Sequence, residues 1–371
     1  MQRPKKLNKG DKVAIVSLSK GILGESFAKH ELDLGIKRLK EFGLEPVFMP
    51  NALKSMEYLE SHPEKRASDL KQAFMDKDIK AIICAIGGDD TYKTIPYLMD
   101  DKEFVQAVKD NPKIFMGFSD TTNNHLMLNK LGLGTFYGPA FLPDLAELDK
   151  EMLPYTKSYF EKLFSDGAGF EIAPSETWYH ERKDFGPDEL NKPRKSEKEK
   201  HGFEVLNGKG KVAGKLYGGC IESLYDAYTG ERHGDDHKVF EKYHIFPTIE
   251  EWRDKILFIE TCEETTPPEK LEKIMQLFKD LKILESVKGI IIGKPMDEIY
   301  YEEYKDVHRK IFKDLDTPVM YNINFGHATP RCILPYGAET AIDFDNKKIF
   351  VNSPIFESDW MWTKNLSNCL N

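Results

Sequence analysis

The chain has 371 residues, 40% of them hydrophobic and 31% charged, with a formal net charge of -9. That length exceeds the usual single core, so two domains are expected. The acidic balance argues against a nucleic-acid partner and favours solubility.

The basic start from Met1 to Lys6 has no apolar stretch behind it, and no segment approaches the ~18 apolar residues of a membrane span. Neither a signal peptide nor a membrane partner is expected. The cysteines are Cys84, Cys220, Cys262, Cys332 and Cys369, odd in number and never in a C-x-x-C pair. A disulfide framework or a metal site is not expected, and a cytoplasmic location fits.

Lys12 to Ser19 reads as a first strand, led by Gly10-Asp11. Residues 27–42 give a helical pattern stopped by Gly43, and Glu45 to Met49 a second strand. A helix over residues 64–77 leads to a third strand, Lys80 to Ala85, which ends at Gly87-Gly88-Asp89-Asp90. A short helix with Tyr92, Ile95 and Leu98 precedes the strand Ile114 to Phe118. Ser119 follows at once, with Asp120, Thr121 and Thr122 opening another helix. Strands alternating with helices predict βαβ units and a parallel sheet, whose sites form where strands end. The paired glycines are either a tight turn or a surface where backbone N–H groups face a ligand. No G-x-G-x-x-G or G-K-[ST] pattern accompanies them, which argues against a nucleotide cofactor.

Residues 151–165 look helical. Residues 174–201 hold three prolines and the charge run Lys192 to Lys200, and read as a linker in which Trp178 and Tyr179 are exposed. Asn207-Gly208 between two apolar runs predicts a hairpin of Phe203–Leu206 with Lys211–Leu216. His233, His237 and His244 lie in a polar stretch without metal-ligand spacing. Lys255 to Glu260 is an apolar strand closed by a carboxylate. A helix follows over residues 267–283, then a strand Gly289 to Gly293, a helix over 301–313, and a strand Pro318 to Ile323 that Gly326-His327 ends. Gly337 to Asp343 and Lys348 to Val351 predict a terminal hairpin.

Ser119, Glu260 and His327 thus all end apolar strands, in the chain order nucleophile, acid, base. Such a set supplies a hydroxyl, a base to take its proton and a carboxylate to orient the base. Backbone N–H groups of Gly88 and Asp120 could face an oxyanion. Each residue alone also has a structural reading: Ser119 as a helix cap, His327 as a core histidine.

The runs Gly117-Phe118-Ser119-Asp120, Gly87-Gly88, Gly218-Gly219-Cys220, Leu257-Phe258-Ile259-Glu260, Gly326-His327-Ala328-Thr329-Pro330 and Leu334-Pro335-Tyr336-Gly337 recur in order. Together they resemble the LD-carboxypeptidase family of serine peptidases, which includes the microcin C immunity proteins, over about residues 10–351. The resemblance implies an α/β protein: an N-terminal Rossmann-like parallel-sheet domain with a smaller β-rich C-terminal domain. We place these at residues 1–170 and 206–371, joined by a linker and substrate loop at 171–205. It further implies a catalytic Ser119, Glu260 and His327, an oxyanion hole at Gly88 and Asp120, no cofactor or metal, and a homodimer. One branch of the family releases D-alanine from a murein tetrapeptide; the immunity branch cuts an amide joining an aminoacyl group to a nucleotide-like moiety. The cell-wall branch typically carries Arg-Gly-Gly-Tyr-Gly where this chain has Ile86-Gly87-Gly88-Asp89-Asp90. That departure and the long loop favour the immunity branch and a small peptidyl-nucleotide substrate. The implied substrate contacts are Gly87, Asp89, and Trp178 with Phe203 as the other aromatic candidate. A non-catalytic binding protein on the same scaffold is the competing reading.

Overall fold

The computed structural model describes residues 1–167, 169–352 and 354–357; Cys369 lies outside them. The first five strands are β1 (Lys12–Val16), β2 (Glu45–Phe48), β3 (Ile79–Cys84), β4 (Ile114–Gly117) and β5 (Phe136–Tyr137). They pair in parallel in the order β5-β4-β3-β1-β2. From Val13 to Val16, and along all of β4, the side chains are fully buried. Burial on both faces is what a parallel sheet covered by helices requires, and explains why these strands read as unbroken apolar runs.

The chain continues through β6 (Phe170–Ile172), β7 (Thr177–Tyr179), β8 (Ser196–Lys198), β9 (Glu204–Asn207), β10 (Lys211–Cys220), β11 (Lys255–Glu260), β12 (Gly289–Gly293), β13 (Val319–Ile323), β14 (Leu334–Pro335), β15 (Glu339–Asp343) and β16 (Lys348–Val351). An eight-stranded sheet runs β6-β16-β15-β10-β11-β12-β13-β9, parallel from β10 to β13 and antiparallel at both flanks. The two sheets exchange one element. β14 leaves the second half of the chain and pairs antiparallel with β5, setting Leu334 opposite Tyr137. Among the described residues no helix is long and apolar enough to cross a membrane.

Two sequence expectations fail here for physical reasons. β9 and β10 do not form a hairpin: β9 pairs with β13, at the far edge of the sheet from β15. Asn207 spends its amide on the carbonyls of Leu315 and Thr317 (2.8 Å each), and Gly208 lies against Pro318. The turn chemistry is local, whereas the edge of β13 offers a whole ladder of unpaired groups. The stretch 174–201 is also not bare linker. β7 and β8 form a ribbon, and Glu147 ties it down by accepting from Arg182 (2.8 Å) and Arg194 (2.6 Å), all three with nearly buried side chains.

A second buried pair locks the halves. Arg331 donates from Nη1 to both carboxylate oxygens of Asp144, at 2.9 and 2.8 Å, with the two residues 3% and 7% exposed. Arg331→Leu would leave Asp144 charged and unpaired, a loss of about 3–5 kcal/mol. We expect a lower denaturant midpoint in that variant, largely recovered when Asp144→Leu is added. Equal stability of wild type and single variant would show that the pair contributes nothing.

Candidate active site

Ser119 is the first residue after Phe118, where β4 turns into the helix Thr122–Lys130. Its φ is +66°, a left-handed conformation in a residue with a Cβ. Such strain persists only where the surroundings hold it. Two contacts do so: the Ser119 N–H donates to Tyr137 Oη (3.1 Å), and Thr122 Oγ1 donates back to the Ser119 carbonyl (2.7 Å). Gly87 explains itself by proximity, since a Cβ there would stand 2.8 Å from Ser119 Oγ.

Glu260 closes β11 and is 1% exposed. Its carboxylate is saturated by donors. Oε1 accepts from Tyr137 Oη (2.6 Å), and Oε2 accepts from the His327 backbone N–H (3.1 Å) and faces His327 Nδ1 (2.8 Å). The loop can approach this closely because residue 326 is glycine. Its φ is +76°, and a Cβ would fall 2.2 Å from the Glu260 carboxyl carbon.

His327 is packed edge-on against Phe118, with ring centroids 5.1 Å apart, and the Arg331 guanidinium carbon lies over that ring, 4.2 Å from its centroid. Burial pulls the imidazole pKa down, but the charge and hydrogen bond of Glu260, joined by Glu263, outweigh it and hold the ring well above its ordinary value. Nε2, the nitrogen left free by Glu260, meets Glu263 Oε2 at 3.0 Å. The hydrogen bond from His327 in turn pulls Glu263 down to about 2. Glu260 and His327 are therefore in direct contact, and Ser119 joins them through Tyr137 and Phe118. No hydrogen bond between Ser119 Oγ and His327 occurs among the described residues.

Gly88, Asp89 and Ser119 line one cleft together with residues of the helix Ile221–Thr229 and of the loop after β11. Asp120 is buried beside it, its Oδ2 accepting from Ser19 Oγ (2.8 Å) and the Thr91 N–H (3.1 Å), and burial pushes it up to about 6. The expected exposed aromatic is corrected: Trp178 is 6% exposed, packs at a tilt against His180 and lies beneath Lys294, while Phe203 belongs to the core. Neither lines the cleft with Ser119. The ribbon β7–β8 and Lys294 give Trp178 a partner that the sequence spacing does not reveal. Tyr137 and Glu263 are the residues that sequence reasoning missed. Tyr137 sits in a strand of two residues, and Glu263 in a short polar run after β11, so neither carries a periodic signal.

The class of this two-sheet α/β chain follows from its likeness to known proteins. The LD-carboxypeptidase N-terminal domain matches residues 13–138 and the LD-carboxypeptidase C-terminal domain matches residues 213–342. The chain belongs to the LD-carboxypeptidase family. It is 27% identical to the Microcin C7 self-immunity protein MccF of Escherichia coli, over 90% of this chain and 91% of that one. It is 26% identical to a probable murein peptide carboxypeptidase of Bacillus subtilis, over 96% of each. Among solved structures, an MccF-like protein from Streptococcus pneumoniae in complex with AMP superposes with a TM-score of 0.89 at 47% identity, covering 93% of this chain and 99% of that one. MccF in complex with aspartyl sulfamoyl adenosine gives 0.81 at 26% identity, covering 96% and 100%. MccF in complex with glutamyl sulfamoyl guanosine gives 0.80 at 25%, with the same coverage.

The pairing of His327 with Glu263 can be tested without any substrate. A carboxylate on Nε2 favours the imidazolium, so removing it must lower the imidazole pKa. The His327 resonance, followed by NMR against pH, should titrate at lower pH in Glu263→Gln than in wild type. An unchanged titration would mean that the contact does not persist in solution.

Proposed function

We propose that the protein is a serine amidase that cuts an amide between an aminoacyl group and a nucleotide-like moiety. The observation that carries this is the Glu260–His327 contact of 2.8 Å, tied through Tyr137 to a Ser119 held at positive φ. Ser119 Oγ attacks the amide carbon while its proton passes to His327 Nε2. The oxyanion forms towards the backbone N–H groups of Gly88 and Asp120. The intermediate collapses by expelling the amine, which takes the proton from His327. Water then repeats the sequence on the acyl-enzyme and frees Ser119. Glu260 keeps Nδ1 protonated and stabilises the imidazolium, and Tyr137 and the His327 N–H keep Glu260 in place.

Glu263 must leave Nε2 before that nitrogen can accept a proton. It follows β11 in the loop before the helix Pro268–Asp280, and its side chain is exposed, so the move needs no core rearrangement. The similar proteins support this substrate class: their structures hold AMP, aspartyl sulfamoyl adenosine and glutamyl sulfamoyl guanosine. The murein reading rests on the Bacillus subtilis relative and is the other arm of the same assay.

Wild type, incubated with an aminoacyl sulfamoyl adenosine and separately with a murein tetrapeptide, should release product from the first, read by mass spectrometry. Ser119→Ala should lower that turnover by about 10⁴-fold or more. Undiminished turnover in Ser119→Ala would remove the serine from the mechanism, and binding without product in wild type would favour a non-catalytic role. The base must be neutral to act, and its pKa is held high. The acidic limb of kcat/KM should therefore sit above the usual histidine range and move to lower pH in Glu263→Gln.

A further inference from the structure

The cleft that holds Ser119 is walled by Asp89, Glu222, Asp226, Asp236, Glu263 and Glu264. The cations lining it are Lys20 and Arg232, and Arg232 is already engaged by Asp89 (3.3 Å) and Glu264 (2.7 Å). Negative charge is thus in excess where substrate must enter.

The carboxylates differ in how they are used. The helix Ile221–Thr229 sets Glu222 and Asp226 one turn apart on one face. Glu222 is satisfied: Oε1 accepts from Thr266 Oγ1 (2.5 Å), and Oε2 from Cys220 Sγ (3.2 Å) and the Cys262 N–H (3.1 Å). Asp226 accepts no side-chain hydrogen bond among the described residues. Burial and the like charge of Asp236 push it up to about 6, against the pull of Arg232, Lys270 and His233. Asp236 is 3% exposed, and one of its oxygens accepts only the N–H of the adjacent His237.

An independent feature points the same way. Asn123 is 5% exposed and lines the same cleft, and its Oδ1 has no hydrogen-bond partner among the described residues. A buried acceptor left empty costs stability unless a ligand donates to it. Asp226, Asp236 and Asn123 are all acceptors. Their complement is a group rich in N–H donors and positive in charge.

We propose that the cleft selects a cationic acyl group, an aminoacyl chain whose ammonium groups outnumber its carboxylates, with Asp226, Asp236 and Asn123 Oδ1 as the recognising atoms. This rests on the amidase reading and adds the acyl preference. It sets the chain apart from the relative whose structures hold aspartyl and glutamyl compounds: here an acidic acyl side chain would meet an acidic wall.

Binding to Ser119→Ala, measured by calorimetry, separates this inference from catalysis. Lysyl sulfamoyl adenosine should bind about tenfold or more tightly than aspartyl sulfamoyl adenosine at low salt, since the two differ in charge at a partly desolvated wall. The preference should shrink as salt rises and shrink again when Asp226→Asn is added to Ser119→Ala. Circular dichroism checks that the added substitution folds; if it does not, the salt series decides. Equal binding, tighter aspartyl binding, no binding of either compound, or a preference indifferent to salt would each overturn the proposal. Lysyl preference in binding, with no hydrolysis by wild type, would leave the proposal standing and sink the amidase reading alone.

Discussion

A carboxylate at 1% exposure cannot remain charged unless donors surround it, and Glu260 has gathered its donors from both halves of the chain. Tyr137 arrives from the first sheet, and His327 offers both its backbone N–H and its ring. The requirement reaches outward. Tyr137 can reach Glu260 because β5 is held between β4 and β14, and the same hydroxyl receives the Ser119 N–H. Gly326 is needed because any side chain would occupy the carboxylate's own volume. The placement of Tyr137, Gly326 and His327 follows from satisfying that one buried charge.

The imidazole stands between two acids of different standing. Glu260 is buried and bound from three directions, so it acts as a fixed support. Glu263 is exposed and makes its contact from a loop. An imidazole held this way is capped at Nε2. Its proton affinity is raised by both neighbours, and only one of them can be displaced without disturbing the sheet.

Much of this was legible in the sequence because sheet physics is simple. Ser119, Glu260 and His327 stand out as polar residues at the ends of apolar runs, and the structure puts Ser119 after β4, Glu260 at the end of β11 and His327 after β13. The alternation of strand and helix gave the parallel sheets for the same reason. Local signals failed where a distant partner prevailed. Asn207-Gly208 carries hairpin chemistry, yet the free edge of β13 captured β9. Trp178 sits among prolines and charges and reads as exposed, yet a two-stranded ribbon and Lys294 bury it. Tyr137 and Glu263 left no trace, since a two-residue strand and a short polar loop have no period to detect. Their importance lies in what they touch across more than sixty residues of chain.

The loan of β14 to the first sheet has a consequence for biosynthesis. β5 is that sheet's border until Leu334 and Pro335 arrive, and they are made only after β10, β11, β12 and β13 of the second sheet. Until they are made, the nascent N-terminal half carries a short open edge of backbone donors and acceptors, the kind that recruits stray strands. Truncating the gene anywhere before that pair would leave the seam permanently unsewn, so the first half by itself should be a sticky fragment and a natural client for chaperones.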